Sequence, residues 1–252
     1  MLGSLFDLSG KVAVVTGAST GLGAGMTLGL ANAGADIVLV DHRERDTVAK
    51  QVRDAGRKAL CVTGDLTSSD FIATVVQEAK QAFGKIDILV NNAGTIRRSP
   101  ATEFSEQDWD DVMNLNSKSV FLLSQAVARD MVSCGNGKII NIASLLSFSG
   151  GITVPSYAAS KGAVAQLTKA LANEWAQHGV CVNAIAPGYM VTENTRALRE
   201  NAERNAAILS RIPSARWGEA TDMQGAVVFL ASAASDYVNG HILTVDGGWM
   251  AR

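Results

Sequence analysis

The chain is poor in cysteine, proline, histidine and charge. Its 252 residues include three cysteines, four prolines and three histidines, and 18% of the residues are charged. Cys61, Cys134 and Cys181 lie far apart and form no Cys-x-x-Cys pair, so neither a disulfide framework nor a zinc site is indicated. The histidines have no metal-ligand spacing either, and we predict no metal. Unpaired thiols are typical of a reducing cytoplasm, where we expect this protein.

The chain also lacks an excess of one charge and a long apolar run. It has 22 basic and 24 acidic residues, a net charge of −2 that does not indicate a surface for nucleic acid or for an anionic membrane. The longest uncharged stretch, 139–160, contains a proline, glycines and several serines, so we do not expect it to span a membrane. Residues 1–7 show no basic region followed by an apolar core, and no signal peptide is predicted.

Short apolar runs alternate with helical patterns along the whole chain. Most of the runs are continuously apolar, as strands buried on both faces are. They lie at 12–16, 36–40, 59–63, 86–91, 138–142, 181–186 and 242–245. Between them are helical patterns such as the one that follows Ser68 and stops at Gly84. Repeated β-α-β alternation predicts an α/β fold, namely a single-domain, Rossmann-type, doubly wound parallel sheet of about seven strands with helices on both faces.

No linker, repeat or low-complexity segment divides the chain, so we predict one domain over 1–252. Residues 188–217 break the alternation, because this segment is longer than an ordinary connection and carries a helical stretch at 195–210. Long segments that follow a strand in such folds are often substrate loops. We interpret 188–217 as a substrate lid, and a plain surface helix is the alternative.

A glycine-rich turn follows the first predicted strand and opens the next helix. The turn reads Gly17-Ala-Ser-Thr-Gly-Leu-Gly23, a Gly-x3-Gly-x-Gly spacing that differs from the Gly-x-Gly-x-x-Gly fingerprint. Glycines let the backbone approach a pyrophosphate closely, and the helix N-terminus supplies N–H donors. The turn predicts a dinucleotide site. Its residues are Gly17, Ser19, Thr20, Gly21, Leu22 and Gly23.

An acidic residue, Asp41, ends the second predicted strand. A carboxylate there accepts hydrogen bonds from ribose hydroxyls and repels a 2′-phosphate, which favours NAD. The basic residues that follow, His42, Arg43 and Arg45, are able to bind such a phosphate, so NADP stays open. Further groove positions are expected after the third and fourth strands, where open parallel sheets bind ligands. They are Asp65, Leu66, Asn92, Ala93 and Gly94.

Tyr157 and Lys161 are four residues apart and therefore share one face of a helix. A nearby ammonium lowers the pKa of a phenol, which is ordinarily about 10. A phenol tuned in this way can exchange the proton that an alcohol loses when it becomes a ketone. A hydroxyl such as that of Ser144 can hold the oxygen whose charge changes. The Tyr-x3-Lys pair is common by chance, so its meaning depends on the other motifs.

Together these motifs resemble those of the short-chain dehydrogenase/reductase family, over the full length and in the family's order. The matching segments are Thr16-Gly-x3-Gly21-x-Gly23, Asp65, Asn91-Asn-Ala-Gly94, Asn116, Ser144, Tyr157-x3-Lys161 and Pro187-Gly188-x3-Thr192. The resemblance implies the family's fold and a nicotinamide-dependent oxidoreductase, and it also implies a homotetramer.

The resemblance further implies a role for each catalytic position. Tyr157 would be the general acid/base, and Lys161 would lower its pKa and bind the nicotinamide ribose. Ser144 would hold the substrate oxygen. Asn116, inside one long helix around 108–132, would position a water that connects Lys161 to solvent. The nicotinamide carboxamide would be held by a further group of residues: Pro187, Gly188, Met190 and Thr192.

Other stretches resemble the members of this family that use NAD to act on six-carbon sugar acids. They lie at 91–98, 142–151, 154–157, 186–195, 211–218 and 245–252. Such a substrate needs a cation for its carboxylate. Arg97 and Arg98 follow the Asn-Ala-Gly turn, and at most one of these neighbours is expected to point inward. The predicted substrate residues are Arg97, Arg98, Ser144, Leu146, Tyr157, Asn194, Arg211 and Trp217, with Arg216 as a further lid candidate.

Two other functions share parts of this pattern. A 3-oxoacyl-thioester reductase has the same catalytic residues, prefers NADPH and would use Arg97 and Arg98 to contact a phosphopantetheine carrier. A cofactor-binding regulatory protein would ordinarily have lost the tyrosine or the lysine, and both are present here. The predicted function is therefore an NAD-dependent dehydrogenase of a small sugar acid.

Overall fold

Seven parallel strands form one sheet in the described part of the chain, in the order β3-β2-β1-β4-β5-β6-β7. The structure, a computed structural model, describes residues 2–252, and side chains from Ser4 onward. The strands are β1 (Val12–Thr16), β2 (Asp36–Asp41), β3 (Ala59–Thr63), β4 (Ile88–Asn91), β5 (Gly137–Ile142), β6 (Val180–Pro187) and β7 (Ile242–Val245). The predicted doubly wound α/β fold is confirmed, and strand ends differ from the predicted ones by at most two residues.

Ten α-helices connect or flank the strands within residues 2–252. They are α1 (Leu2–Leu5), α2 (Gly21–Asn32), α3 (Thr47–Asp54), α4 (Ser69–Phe83), α5 (Glu106–Met113), α6 (Ser119–Cys134), α7 (Pro155–Trp175), α8 (Arg196–Glu200), α9 (Ala202–Leu209) and α10 (Gln224–Ala231). The predicted boundaries of α4 are observed. The Ser68 hydroxyl accepts a hydrogen bond from the Phe71 N–H, and Gly84 ends the helix with a φ of 79°.

The two faces of the sheet bury alternate residues of each strand, as the twofold period of a strand requires. Ala13 and Val15 of β1 face one apolar layer, which α2, α3 and α10 cover. Val12 and Val14 face the other layer, which α4, α6 and α7 cover. Because both faces are buried, the strands read as continuous apolar runs, which is why the sequence reveals them clearly.

The single long helix expected around 108–132 is interrupted. A π-turn, Asn114–Lys118, separates α5 from α6. Within it, the Asn116 side chain hydrogen-bonds backbone atoms of Thr95, on the loop that follows β4. Helical periodicity alone does not reveal such a bulge, because the hydrogen bonds that accompany it come from a distant part of the chain.

The helical stretch expected at 195–210 is also divided. Helices α8 and α9 are separated at Asn201, whose backbone is extended with φ −83° and ψ 108°. The Asn201 side chain accepts a hydrogen bond from the Arg204 N–H at 3.0 Å and thereby starts a new helix. Asparagine favours such a capping position over the interior of a helix, because its side chain competes for backbone hydrogen bonds.

Candidate active site

The glycine turn lies between β1 and α2, at the carboxyl edge of the sheet. Gly17 and Gly21 have positive φ values of 61° and 52°. A Cβ on Gly23 would overlap the Gly17 carbonyl oxygen, so only glycine fits there. The Thr20 side chain makes no capping hydrogen bond to α2. The first-turn N–H groups of α2 therefore remain available to an anion, as a dinucleotide site requires.

Asp41 lies beside this turn. Its carboxylate accepts a hydrogen bond from the Ser19 N–H at 3.2 Å and another from the His42 N–H at 2.9 Å. The Asp41 side chain is only 11% exposed, whereas Arg43 and Arg45 are exposed. The negative charge of Asp41 is therefore hydrogen-bonded against the glycine turn, and the neighbouring positive charges lie on exposed side chains.

The residues after β4 connect two strand ends. The N–H groups of Asn92 and Ala93 both donate to the Thr16 hydroxyl at 2.9 Å. The Asn92 side chain donates to the carbonyls of Thr16 and Gly17 at 2.9 and 3.1 Å. A Cβ on Gly94 would lie 3.1 Å from the Asn116 amide oxygen. The Asn92 side chain therefore stabilises the backbone of the glycine turn through hydrogen bonds. Gly94 allows the loop after β4 to pack closely against the π-turn.

The two predicted groove residues after β3 have different surroundings. Asp65 is exposed and accepts a hydrogen bond from the Thr67 N–H at 2.9 Å, which closes a local turn. Leu66 is buried in the apolar layer beneath α4. The side chain of Leu66 therefore packs in the core, and only its backbone is left to face the groove.

Tyr157 and Lys161 lie one turn apart near the start of α7. The phenol is half-buried, and Lys161 is buried with 5% exposure. The Lys161 Nζ lies 5.6 Å from the centre of the Tyr157 ring and donates a hydrogen bond to the Ile142 carbonyl. Ser144 lies within hydrogen-bonding reach of the phenol. The structure thus brings together the three groups that the sequence selected as a catalytic set.

A further serine, Ser147, connects the members of this set. The Ser147 hydroxyl accepts a hydrogen bond from the Ser144 N–H at 3.3 Å and donates to the Lys161 carbonyl at 2.7 Å. Ser144 is thereby tied to the helix that carries Tyr157. Ser147 was identifiable only as a hydroxyl near Ser144, because its partner Lys161 lies on another element.

Burial dominates the acid–base properties of the pair. Burial raises the pKa of Tyr157, while the Ser144 hydroxyl and the charge of Arg98 lower it in part. Burial lowers the pKa of Lys161 to about 8. The sequence assigned the lowering of the phenol pKa to Lys161. In this geometry the contributions that lower the pKa of Tyr157 come from Ser144 and Arg98.

Asn116 is buried and its carboxamide is fully engaged. Its oxygen accepts from the Thr95 N–H at 2.8 Å, and its nitrogen donates to the Thr95 carbonyl at 2.9 Å and to the Ser160 hydroxyl at 3.1 Å. Ser160 precedes Lys161 on α7. The side chain of Asn116 therefore joins the loop after β4 to α7.

The segment after β6 lies against the end of β7 and the glycine turn. The Gly188 N–H donates to the Val245 carbonyl at 2.9 Å, and a Cβ on Gly188 would lie 2.6 Å from the Asp246 Cα. Met190 is buried and pairs with Gly218 in an isolated β-bridge. The Thr192 methyl group lies 3.8 Å from the position that a Cβ on Gly21 would occupy. Thr192, one of the residues expected to hold the carboxamide, therefore lies next to the glycine turn.

The adjacent arginines after β4 have different partners. The Arg97 Nε lies 3.2 Å from an oxygen of Asp108, and Arg97 Nη2 lies 3.4 Å from one of Asp111. Arg98 is exposed, and its only hydrogen bond within the described residues is to the Asn194 carbonyl, at 3.4 Å. Arg97 is therefore occupied by two carboxylates of α5, and Arg98 remains the free cation.

The other predicted substrate residues do not all converge. The Arg211 guanidinium lies 4.1 Å from the centre of the Trp249 ring, and Trp217 donates to the Asn205 amide oxygen at 2.7 Å. Both residues belong to an aromatic cluster around Tyr189. Arg216 pairs with Asp222 and holds the pKa of that carboxyl at about 2. Leu146 packs against the turn at Gly151.

A cavity of about 320 Å³ is lined by Arg98 and by residues that the sequence did not predict as substrate residues. Arg98 lines it together with Ile152, Leu198 and Arg204. The sequence offers one indication that Arg204 contributes to a substrate site, namely its position in the segment interpreted as a lid. Its i to i+4 spacing from Glu200, however, predicts that Arg204 forms an ion pair with Glu200 on one helix. The break at Asn201 removes that pair, and Glu200 lies 4.0 Å from Arg196.

The described residues include neither a membrane-spanning helix nor a cluster of metal ligands. None of the helices in residues 2–252 combines the length and apolarity that a membrane crossing requires. No group of three or more His, Cys, Asp or Glu side chains in the described chain has an arrangement suited to a metal ion.

The sheet order, the glycine turn and the Ser144–Tyr157–Lys161 set define a nicotinamide-dependent dehydrogenase. Residues 11–203 match the model of the short chain dehydrogenase family, and the chain belongs to that family. It is an oxidoreductase that acts on CH–OH groups.

Several named dehydrogenases are similar to this chain over nearly all of its length. The chain is 60% identical, over the full length of both chains, to 2-dehydro-3-deoxy-D-gluconate 5-dehydrogenase of Escherichia coli K12. It is 53% identical to the enzyme of the same name from Bacillus subtilis 168, over 98% of this chain and 97% of the other. A gluconate 5-dehydrogenase from Burkholderia cenocepacia, solved with NADP and tartrate, is 43% identical over 100% of both chains with a TM-score of 0.96.

Proposed function

We propose that this protein is an NAD-dependent dehydrogenase of a six-carbon deoxy sugar acid, either 2-dehydro-3-deoxy-D-gluconate or 2-deoxy-D-gluconate. The observation that carries this proposal is the position of Arg98. It is a guanidinium without a carboxylate partner among the described residues, and its charge acts on the Tyr157 phenol. A substrate carboxylate bound to Arg98 therefore leaves the rest of a short sugar chain within reach of the acid/base. The names of the similar E. coli and B. subtilis enzymes support this substrate class.

In the proposed mechanism Tyr157 and Ser144 hold the reacting oxygen between them. Ser144 donates a hydrogen bond to that oxygen, and the Tyr157 phenolate takes the hydroxyl proton when the alcohol is oxidised. The bound cofactor supplies the hydride acceptor at the carbon. In the reverse direction, Tyr157 returns the proton to the ketone oxygen.

Lys161 and Asn116 support this proton transfer. The pKa of about 8 for Lys161 means that its proton is held loosely near neutral pH, which suits a group that exchanges protons with Tyr157. We assign to Asn116 a positioning role, because its side chain joins Thr95 to Ser160 next to Lys161. A water near the π-turn would connect Lys161 to solvent, as the family resemblance implies.

The residues around the glycine turn fit a dinucleotide. Gly17 and Gly23 leave space that side chains would fill, and the N-terminus of α2 would hold the pyrophosphate. Lys161 and the segment 187–192 would hold the nicotinamide ribose and carboxamide. Asp41 would accept hydrogen bonds from the adenosine ribose and disfavour a 2′-phosphate, and on this basis we propose NAD as the preferred cofactor. The Burkholderia relative was solved with NADP, so use of both cofactors is the alternative.

The apolar lining of the cavity favours a deoxy substrate. Ile152 and Leu198 line it beside Arg98, and Ile152 is 81% exposed. A methylene group close to the substrate carboxylate would contact these side chains without losing a hydrogen bond to water. A hydroxyl at the same carbon would be partly desolvated against them, which is unfavourable. Gluconate, which carries that hydroxyl, is the second candidate, because the Burkholderia relative is a gluconate 5-dehydrogenase.

We also propose that residues 188–217 form a substrate lid within a single-domain chain. We further propose that the enzyme is cytoplasmic and assembles as a homotetramer. Exposed aromatic residues on neighbouring helices, Trp109 of α5 and Phe121 of α6, support an interface between subunits. Light scattering coupled to size-exclusion chromatography measures the assembly directly. A mass close to that of one chain would contradict the tetramer and leave the catalytic proposal intact.

The experiment that tests the function follows the absorbance of reduced nicotinamide with purified protein. NAD and NADP, or their reduced forms, are paired with 2-dehydro-3-deoxy-D-gluconate, 2-deoxy-D-gluconate, gluconate and acetoacetyl thioester. We expect the fastest turnover with NAD and the deoxy sugar acids. Turnover of the thioester alone, with NADPH, would contradict the proposal and assign the enzyme to acyl metabolism.

A further inference from the structure

We propose that Arg204 of α9 is a second ligand of the substrate carboxylate, opposite Arg98, so that carboxylate binding draws the lid onto the body of the enzyme. This inference rests on the proposed sugar-acid function. It adds a specificity residue in the lid and a reason for the lid to close only on an anionic substrate.

The first support is the cavity itself. Arg98, from the loop after β4, and Arg204, from the lid, line the same space of about 320 Å³. This volume is at the lower end of the range for small-molecule sites, which is about 300–1,000 Å³. None of the side chains that line the cavity is acidic. An anion that enters the cavity therefore meets two guanidinium groups and no competing carboxylate.

The second support is the pairing of the lid arginines. Arg196 lies 2.7 Å from Glu193, and Arg199 donates to the Thr192 carbonyl at 3.2 Å. For the Arg204 side chain, by contrast, the described residues supply neither an ion pair nor a hydrogen-bond acceptor. The break at Asn201 is the cause, since it separates Arg204 from the helical neighbour at Glu200.

The third support is the link between the lid and Arg98. Arg98 Nη2 donates to the Asn194 carbonyl, so the body of the enzyme already touches the first residues of the lid. Two unpaired cations that face one cavity repel each other and keep it open. A carboxylate can bind two guanidinium groups at once, which replaces this repulsion with charge-assisted hydrogen bonds from both walls.

The test compares Arg204→Gln, Arg204→Lys and a matched control, Arg196→Gln, which removes one charge from the same lid outside the cavity. Steady-state kinetics are measured with the sugar acid that the wild type turns over best and with the amide of that acid, which has the same hydroxyls and no charge. Binding of the acid to the enzyme saturated with NADH is measured by calorimetry. Arg204 is exposed, so its substitution leaves the core unchanged.

We expect Arg204→Gln to raise KM and the dissociation constant for the acid about five- to twentyfold, since one charge-assisted hydrogen bond is lost. The kcat for the acid should change less than threefold, and kcat/KM for the amide should stay close to that of the wild type. Arg204→Lys should recover part of the loss, because it keeps the charge without the planar fork. Arg196→Gln should behave as the wild type.

Two results would overturn the inference. Unchanged KM for the acid in Arg204→Gln would show that the second guanidinium does not bind the carboxylate. An equal loss for acid and amide would show that Arg204 shapes the lid without recognising charge. Both results leave the proposed function standing, whereas a wild-type enzyme that neither binds nor oxidises any sugar acid would contradict the proposed function itself.

Discussion

The Nζ of Lys161 donates a hydrogen bond to the carbonyl of Ile142, the last residue of β5. This contact joins α7 to the end of β5, two residues before Ser144. It also removes the ammonium from water, and burial lowers the pKa of Lys161 to about 8. The same group therefore anchors the site and holds a proton weakly, and both properties have measurable consequences.

The first prediction concerns stability and pH. Between about pH 8 and the ordinary lysine pKa of 10.5, the unfolded chain binds a proton at Lys161 that the folded chain has lost. The free energy of unfolding should therefore rise with pH in this window, and below pH 8 this group should cause no pH dependence. Lys161→Met removes the effect. The stability of the wild type relative to Lys161→Met should rise by about 2 kcal/mol between pH 7 and pH 10.

Urea unfolding of both proteins at one protein concentration and at pH 7, 8, 9 and 10 measures this difference. The series stops at pH 10 because the raised pKa of Tyr157 contributes with the opposite sign above that value. A difference between the two proteins that stays constant across the series would show that the folded lysine keeps an ordinary pKa.

The second prediction concerns the acid/base. Tyr157→Phe removes the phenol hydroxyl and keeps the ring, so we expect kcat to fall about a hundredfold or more while the affinity for NADH changes little. Tyr237→Phe is the matched control, because Tyr237 is fully exposed. Stopped-flow absorbance gives kcat, and fluorescence titration gives NADH affinity. Turnover of Tyr157→Phe at the wild-type rate would remove Tyr157 from the proposed role.

The third prediction concerns the glycine turn. Gly23→Ala should abolish cofactor binding and destabilise the protein by about 1–3 kcal/mol, because the new Cβ overlaps the Gly17 carbonyl oxygen. Gly225→Ala in α10 is the control. A Cβ there meets no atom within 4 Å, and alanine in a helix should leave stability unchanged or raise it by about 0.5–1 kcal/mol. Calorimetric titration with NADH and thermal unfolding separate the two effects, and normal NADH affinity in Gly23→Ala would place the pyrophosphate elsewhere.

The fourth prediction concerns the choice between NAD and NADP. Asp41→Ser removes the negative charge beside Ser19 and leaves Arg43 and Arg45 free to attract a 2′-phosphate. The ratio of kcat/KM for NAD to that for NADP should fall about tenfold or more, mostly through KM for NADP. Asp54→Ser serves as the control, because Asp54 is exposed at the end of α3 and has no part in the predicted cofactor site. A ratio that does not move in Asp41→Ser would mean that another group discriminates against the phosphate.

Much of the fold was predictable because its signals are local. Three of the strands, β1, β3 and β7, have the predicted bounds, and the ends of α4 follow from Ser68 and Gly84. In each case the responsible interactions involve residues within a few positions of each other or a burial pattern that repeats along the chain. The order of the predicted groove motifs was equally visible, because the glycine turn, Asp65 and the Asn-Ala-Gly turn each follow a strand.

The interactions that join distant elements were not predictable in the same way. Asn91 donates to Ser124 and Asn141, and Asn141 donates to Thr168, so that four elements share one buried polar chain. The sequence marks Asn91 only as part of a cofactor motif. The π-turn at Asn114–Lys118 has the same origin, because the side chain of Asn116 within it hydrogen-bonds Thr95 on the loop after β4.

The family, the α/β architecture and the residues available for chemistry are all visible in the sequence, because strand burial, helix capping and the Tyr-x3-Lys spacing are properties of neighbouring residues. The partners of those residues become known only from the folded chain. Arg97 is neutralised by Asp108 and Asp111 while Arg98 is not, and Arg204 joins Arg98 at one cavity. Charge, burial and pKa depend on every group within several ångströms, and such groups come together only when the chain folds.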